Sequence, residues 1–130
     1  MYQAETKNII VRAQPRFMPQ QSTPDEDYYF WTYTIDITNN GKSTVKLLRR
    51  HWRITDMSGR TEEVRGDGVV GEQPTLSPGQ TFTYTSGCPL RTPSGIMVGS
   101  YRMRSEAGDE FDVTIPAFSL DSPYADRSLN

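Results

Sequence analysis

Three glycines form the most recognisable chemical motif of the chain. Gly66, Gly68 and Gly71 have the Gly-x-Gly-x-x-Gly spacing that, in dinucleotide-binding folds, places a pyrophosphate at the N-terminus of the following helix. Pro74 and Pro78 follow the motif and prevent that helix, because proline lacks the backbone N–H that a helix requires. We therefore predict that the glycines supply positive φ angles or close backbone approach at a turn or bulge. A helix-free nest of backbone N–H groups holding a phosphate is the alternative.

Groups for covalent or acid–base catalysis are few. The chain has one histidine, His51, and one cysteine, Cys88. A nucleophile and its base would have to be Cys88, or a serine such as Ser86, paired with His51. Nothing in the local sequence supports either pair. We predict that the protein is not an enzyme and has no cofactor.

Carboxylates are the remaining candidates for metal binding. Asp25, Glu26 and Asp27 are adjacent in a proline-containing loop, where such acids are usually solvated. A stable transition-metal site usually takes three or four histidine or cysteine ligands, and this chain does not provide them. The best cobalt site would combine His51 with an acid across the sheet from it (Glu62, Glu63 or Asp67), and we expect a metal ion to bind weakly or not at all.

A row of basic residues could serve nucleic-acid binding. Arg49, His51 and Arg53 alternate along one strand face, beside aromatic residues of the neighbouring strand. We expect instead a solvated face whose arginines pair with the three acids just named, since such exposed pairs contribute about a kcal/mol or less each. The formal net charge of −2 gives no general attraction to nucleic acid or to a membrane.

The clearest strand spans residues 28–38. Aromatic and β-branched residues occupy its odd positions and polar residues most of its even positions, which predicts that one face is core: Tyr29, Trp31, Tyr33, Ile35 and Ile37. Residues 39–42, Asn-Asn-Gly-Lys, predict a hairpin turn to residues 45–56 as the antiparallel partner. Arg50 lies on the apolar side of that second strand, between Leu48 and Trp52. It must therefore snorkel, pair with an acid or sit at a bulge.

Further short strands complete the pattern. Residues 7–18 form a first strand that Pro15 must bend or place at an edge. Residues 61–65, 81–86, 97–103 and 111–115 follow, with turn residues every 8 to 12 positions and no helical segment. This spacing predicts an all-β fold, an immunoglobulin-like β-sandwich of about seven antiparallel strands, with a small closed barrel as the rival.

The length and composition of the chain limit the number of domains, the possible disulfides and the possible membrane spans. A chain of 130 residues suits a single domain, here residues 1–130, in which we expect residues 121–130 to be a loosely ordered tail. The single cysteine, Cys88, cannot form an internal disulfide, which fits a reducing compartment; beside Pro89 it is expected to be an ordinary thiol in a loop. No apolar run approaches the roughly 18 residues of a membrane span. We expect a cytoplasmic protein with no membrane partner.

The order of motifs along the chain resembles the ApaG family. The resemblance covers nearly the whole chain and is most specific from Gly66 to Met103. It rests on residues 51–56, 59–60, 63–64, 66–71, 73–74, 78–79, 84–87, 92–93, 95, 97, 99, 101, 103, 111 and 115–120. It implies a fibronectin type III-like or immunoglobulin-like sandwich, in agreement with the strand pattern. It also implies an association with cobalt resistance and magnesium efflux in bacteria, and a protein-binding role for the related domain of F-box and polymerase-interacting proteins. The resemblance assigns no catalytic residue.

We predict a non-enzymatic protein-interaction module with an unidentified protein partner. Two segments, residues 67–74 and 86–94, mix small, rigid and apolar residues and are expected to be loops that contact the partner. Their candidate contact residues are Asp67, Val69, Val70, Glu72, Gln73, Pro74, Cys88, Pro89 and Leu90. These prolines and glycines could instead only shape the sandwich. The alternative function is binding of a phosphate, a nucleotide or a divalent metal at the glycine motif and the neighbouring strand face.

Overall fold

A computed structural model describes residues 1–125, and within them the chain forms nine strands. The strands are β1 (Tyr2–Thr6), β2 (Ile9–Phe17), β3 (Tyr29–Asn39), β4 (Val45–Asp56), β5 (Thr61–Asp67), β6 (Thr75–Leu76), β7 (Thr81–Leu90), β8 (Gly95–Ser105) and β9 (Glu110–Leu120). Two single 3-10 turns, Pro19–Gln21 and Pro24–Glu26, lie between β2 and β3. In the described part of the chain no helix has the length and apolar content that a membrane crossing requires.

The strands form two antiparallel sheets packed as a β-sandwich, which confirms the predicted fold class. The first sheet has the order β1-β2-β3-β7 and the second the order β5-β4-β8-β9, with β6 paired to the start of β4. The count within residues 1–125 is nine strands instead of about seven, because β1 and β6 were not predicted. Strand β1 has a polar sequence suited to a sheet edge, and β6 has only two residues, too few for any periodicity.

The predicted alternation of core and outer side chains along β3 is confirmed. Its odd-numbered side chains from Tyr29 to Ile37 are all buried, and the even-numbered ones are half-buried on the outer face. Trp52 of β4 is 3% exposed, and its ring packs edge-on against Tyr33 at 5.4 Å and Phe118 at 5.9 Å. The central core therefore combines aromatic rings from both sheets.

The predicted hairpin between β3 and β4 is wrong. β3 pairs with β2 and β7, whereas β4 pairs with β5, β6 and β8, so residues 40–44 carry the chain from one sheet to the other. Asn39 is fully buried at this crossing. Its side-chain amide donates to the carbonyls of Ser43 (2.8 Å) and Leu76 (2.9 Å) and accepts from the Gly41 N–H (2.9 Å). The turn residues thus serve a connection between sheets that needs the same turn chemistry as a hairpin.

Pro15 lies at an edge, as predicted. β1 pairs with β2 only as far as Ala13, so among residues 1–125 no strand pairs with Pro15 on that side. At the other end of the chain, the carbonyl of Asp121 accepts a hydrogen bond from Trp31 Nε1 at 2.8 Å, and the Tyr124 ring packs against Phe17 and Tyr29. These contacts hold the first residues of the predicted tail 121–130; its part from 126 to 130 lies outside the described residues.

Candidate functional site

The two sides of the sandwich are closed differently. Where β1 meets β9, the Thr6 hydroxyl accepts from the Thr114 N–H at 3.1 Å and the Tyr2 hydroxyl accepts from the Ser119 N–H at 3.4 Å. On the opposite side, the edge strands β5 and β7 face each other, and no hydrogen bond joins them within residues 1–125. We call this gap between β5 and β7 the open seam.

A cavity of 560 Å³ occupies the open seam. Buried aromatic side chains, Tyr33 and Trp52, are among its lining residues, together with Met97. Half-buried apolar side chains of the edge regions also line it, namely Ile54, Val64 and Leu90. A concave, mostly apolar surface with a few polar groups is the usual form of a binding site.

Charged groups surround this apolar surface. Three arginines (Arg50, Arg60 and Arg91) and two acids (Asp56 and Glu62) line the cavity. Within residues 1–125, none of the three arginines forms an ion pair with a carboxylate. The Asp56 carboxylate accepts from the Ser58 hydroxyl (2.7 Å) and from the N–H groups of Ser58 (2.9 Å) and Arg60 (3.1 Å), and the Ser58 hydrogen bond lowers the pKa of Asp56. The lining thus carries three basic and two acidic side chains.

Two features determine the position of the Arg50 side chain: the register of β4 and the small size of Gly66. A register shift between Leu47 and Arg49 marks an irregularity in the pairing of β4 with β8. The Arg50 guanidinium lies over Gly66, where a Cβ atom would be 2.8 Å from its nitrogens, and donates to the carbonyls of Asp67 (3.1 Å) and Gly68 (3.0 Å). The side chain on the apolar face is therefore satisfied by backbone carbonyls at the edge of the sheet. This function of Gly66 is the predicted close approach.

Two tyrosines join the sheets beneath the seam. The hydroxyls of Tyr84 in β7 and Tyr101 in β8 are hydrogen-bonded to each other, and both residues are buried. Burial raises the pKa of each well above the usual value for tyrosine. Burial also raises the pKa of Tyr33, an effect that a hydrogen bond with Ser86 partly opposes. These hydroxyls stay neutral at physiological pH and act as hydrogen-bonding groups.

The glycine motif forms a turn, not a phosphate loop followed by a helix. Val69 and Glu72 exchange two backbone hydrogen bonds (2.8 and 2.9 Å), and Val70 and Gly71 between them have positive φ angles of 42° and 81°. Gly68 also has a positive φ, and its N–H donates to the Leu48 carbonyl. The predicted positive φ angles are confirmed for Gly68 and Gly71, whereas Gly66 lies in strand β5. The N–H groups of Gly68, Val69 and Glu72 have carbonyl partners and are therefore not free to hold a phosphate.

The predicted partner-binding residues are distributed unevenly. In the segment 67–74, Val70 is 53% exposed, whereas Val69 has no exposed surface. Gln73 donates from Nε2 to the Leu48 carbonyl at 2.9 Å and so fixes the loop against β4. The remaining residues, Asp67, Glu72 and Pro74, lie on the surface or half-buried in the same segment.

The prediction of a loop at Cys88, Pro89 and Leu90 is wrong. All three belong to strand β7, and only residues 91–94 connect it to β8. Cys88 is 3% exposed, and burial raises the pKa of its thiol to about 12. Cys88 is thus a core residue, and Cys88, Pro89 and Leu90 all line the open seam. Proline is compatible with this strand because β7 lies at the edge of the sheet, where Pro89 interrupts no backbone hydrogen bond of the ladder. The sequence-based prediction did not include an edge strand at this position.

Basic residues on the outer face of the second sheet are largely paired. Glu63 contacts Arg53 (3.4 Å) and Arg65 (3.2 Å), and hydrogen bonding with Arg53 lowers the pKa of Glu63. Arg49 and Arg102 contact Glu110 of β9 at 3.6 and 3.2 Å. The predicted face of ion pairs is confirmed for Glu63. The contribution of β9 could not be read from the sequence, since its register against β8 was unknown.

His51 does not meet a candidate nucleophile. Its Nε2 lies 3.8 Å from the Glu63 carboxylate on the outer face, where it lines a second cavity of 440 Å³ with several arginines. Cys88 and Ser86 instead line the open seam. No group of three or more histidine, cysteine or acidic residues in the described part of the chain is placed to hold a metal ion.

The two packed antiparallel sheets define the chain as a β-sandwich domain. A family model described as the ApaG domain matches residues 19–105, so the chain belongs to the ApaG family. It is 57% identical over 130 residues to Protein ApaG of Rhodopseudomonas palustris strain TIE-1 and 58% identical to that of Bradyrhizobium diazoefficiens, and each alignment covers all of both chains.

Solved structures agree with the fold. The crystal structure of a Bordetella pertussis protein described as ApaA has a TM-score of 0.86 at 50% identity, and the match covers 88% of this chain and 94% of that one. The C-terminal domain of wzt has a TM-score of 0.55 at 11% identity, over 92% of this chain and 76% of that one. The second likeness concerns the fold alone.

Proposed function

We propose that the protein is a non-enzymatic protein-interaction module whose binding surface is the open seam. The observation that carries this proposal is the cavity between β5 and β7, in which an aromatic and apolar lining is accessible between two unpaired sheet edges. Protein partners commonly bind strand edges and grooves with apolar centres and polar rims. The three arginines of the lining, against two acids, add a preference for acidic groups.

The chemistry of the seam favours binding over catalysis. Cys88 is buried with a protonated thiol, and Ser86 lies in the seam while His51 faces the opposite surface of its sheet. A nucleophile needs a base within hydrogen-bonding reach, and within residues 1–125 His51 is not placed to serve either candidate. A free, buried cysteine also suits the cytoplasmic location that we propose.

Val70 supplies a second contact in this proposal. It is an exposed apolar residue at the tip of the turn from Val69 to Glu72, and its positive φ is unusual for a β-branched side chain. Such strain is retained where surrounding contacts hold the backbone, here the paired hydrogen bonds of the turn. Under this proposal the cobalt and magnesium phenotypes implied by the family resemblance act through the bound partner and need no metal site in this chain.

Site-specific photocrosslinking in the source organism tests the proposal. Benzoylphenylalanine is placed at Val64 or Pro89 in the open seam and, as a matched control, at exposed Glu5 on the closed side. We expect the same protein adduct from both seam positions and not from the control. Adducts of equal yield from all three positions, or none from the seam, would refute the assignment of this surface.

A further inference from the structure

We propose that β7 binds its partner by strand addition: an extended segment of the partner protein pairs with the free edge of β7 and directs alternate side chains into the open seam. This inference rests on the proposed function and specifies its binding mode and the chemistry of the partner. An antiparallel or parallel strand added at about 4.8 Å from β7 would extend the first sheet across the gap toward β5.

The backbone groups that would bind the segment follow from the register of β7 with β3. The Asn39 N–H donates to the Gln80 carbonyl at 3.0 Å, so Asn39 and Gln80 form a hydrogen-bonded pair. Hydrogen-bonded and non-hydrogen-bonded pairs alternate along an antiparallel ladder, and this ladder has no register shift. The even-numbered residues of β7 are therefore bonded to β3, and the odd-numbered residues direct their N–H and C=O groups outward.

A second contact agrees with this parity. The Phe30 carbonyl, opposite Pro89 in the register, accepts from the Met18 N–H on the far side of β3 at 2.9 Å. Pro89 thus occupies an outward-facing position, where its missing N–H costs the ladder nothing. The outward N–H groups belong to Thr81, Thr83, Thr85 and Gly87. Within residues 1–125 no strand pairs with that side of β7.

β7 lacks the usual protection of an edge strand. None of its ten residues is charged, and its sole edge-blocking residue is Pro89 near one end. The opposing edge strand β5 contains Glu62, Glu63, Arg65 and Asp67, and the Arg50 guanidinium covers the Asp67 carbonyl. An added strand can therefore pair with the uncharged edge of β7, whereas the charged residues of β5 disfavour pairing there.

The space beside β7 sets the chemistry of the segment. Side chains of the added strand that point inward would face Val64 and Glu62 of β5 and the Arg50 guanidinium. The segment should then have apolar residues at alternate positions and one carboxylate that reaches Arg50. The four outward N–H groups span Thr81 to Gly87, which corresponds to a segment of about seven residues.

Selected peptides provide the probe. Random linear heptapeptides displayed on phage are selected against the full chain, and the best binder is synthesised with each backbone nitrogen methylated in turn. We expect alternate methylations to weaken binding about tenfold or more, because only every second N–H of an added strand bonds to β7. We also expect the largest amide shifts at Thr81, Thr83, Thr85 and Gly87 in a titration followed by NMR.

A matched pair of variants tests the edge itself. Thr83→Pro removes an outward N–H without breaking the ladder to β3, and Thr83→Val keeps the N–H while removing the hydroxyl that donates to Asp36. We expect about tenfold weaker peptide binding for Thr83→Pro and less than a twofold change for Thr83→Val. Unchanged amide spectra away from β7 show that both variants are folded.

Several outcomes would overturn strand addition. These are a selection without binders, binders insensitive to methylation of every position, or equal effects of the two Thr83 variants. Self-association of the free chain that Thr83→Pro abolishes would assign the edge to a second copy. If seam adducts form in the photocrosslinking experiment while these tests fail, the interaction module stands and only the binding mode is wrong.

Discussion

The hydroxyl groups of Tyr84 and Tyr101 connect the two sheets, and their removal tests how buried polar groups stabilise this sandwich. Tyr84 belongs to the first sheet and Tyr101 to the second. Tyr101 has no exposed surface and Tyr84 is 6% exposed. Substitution of either residue by phenylalanine removes the hydroxyl and preserves the packed ring.

The expected free energies follow from the unpaired group that each substitution leaves. A buried hydroxyl without a partner costs about 1–3 kcal/mol, whereas replacement of both partners by apolar groups is nearly neutral. Tyr84→Phe leaves the fully buried Tyr101 hydroxyl and should cost about 2 kcal/mol. Tyr101→Phe leaves the hydroxyl of Tyr84, a residue that is 6% exposed, and should cost about 1.5 kcal/mol. The double variant should lose about 1 kcal/mol, so the coupling energy is about −2.5 kcal/mol.

Urea unfolding followed by tryptophan fluorescence measures all four free energies of unfolding, with the m-value as the check that the unfolding transition is unchanged. A double variant whose loss equals the sum of the two single losses would refute the reasoning. So would two single variants within about 0.5 kcal/mol of the parent, since the hydroxyls would then have found other partners.

Further predictions concern the core, the thiol and the small ligands. Trp52→Ala should cost about 3–5 kcal/mol in urea unfolding, and a loss below about 1 kcal/mol would show that its environment is misassigned. Since burial raises the pKa of Cys88 to about 12, its reaction with iodoacetamide at pH 9 should be much slower in the folded chain than in urea. The same shift contributes stability that is fully present below the unfolded pKa of about 8.5 and is lost as pH rises toward 12, which unfolding curves of the parent and Cys88→Ala between pH 8 and 11 would measure. Equal rates of iodoacetamide reaction in the folded chain and in urea would contradict the burial of Cys88. Millimolar ATP should leave the amides of Gly66, Gly68 and Gly71 unshifted in NMR spectra, and saturable shifts confined to that loop would support the phosphate nest. Calorimetry with Co²⁺ and untagged protein should show no site tighter than about 10 µM, and a stoichiometric submicromolar site abolished by His51→Ala would contradict this.

Local periodicity predicted the elements of this fold well where one face of a strand is buried. The alternation from Tyr29 to Ile37 reports a half-buried strand directly, because each odd side chain packs in the core. The pairing of strands was harder to predict. Asn39 and Gly41 satisfy the backbone at a sheet crossing with the same chemistry that closes a hairpin, so the residues do not distinguish the two connections.

The candidate site could not be predicted from local sequence patterns, because it depends on how distant strands are arranged. Its lining comes from β3, β4, β5, β7 and β8, and the open seam exists because β5 and β7 are both sheet edges on the same side of the sandwich. The position of Arg50 on an apolar face was the one local sign of it. Cys88 was misplaced because a proline beside it suggested a loop, whereas a sheet edge accepts proline as well.

The two sheets draw their strands from distant parts of the chain, which governs when the protein can fold during its synthesis. The first sheet takes β7 after three strands of the second have been made, and the second is complete only with β9. Trp31 is finally held by the carbonyl of Asp121. A nascent chain that ends after β6 therefore exposes the aromatic face of β3 with neither sheet complete. We expect the growing chain to stay unfolded, and to depend on chaperones, until residue 121 has emerged from the ribosome.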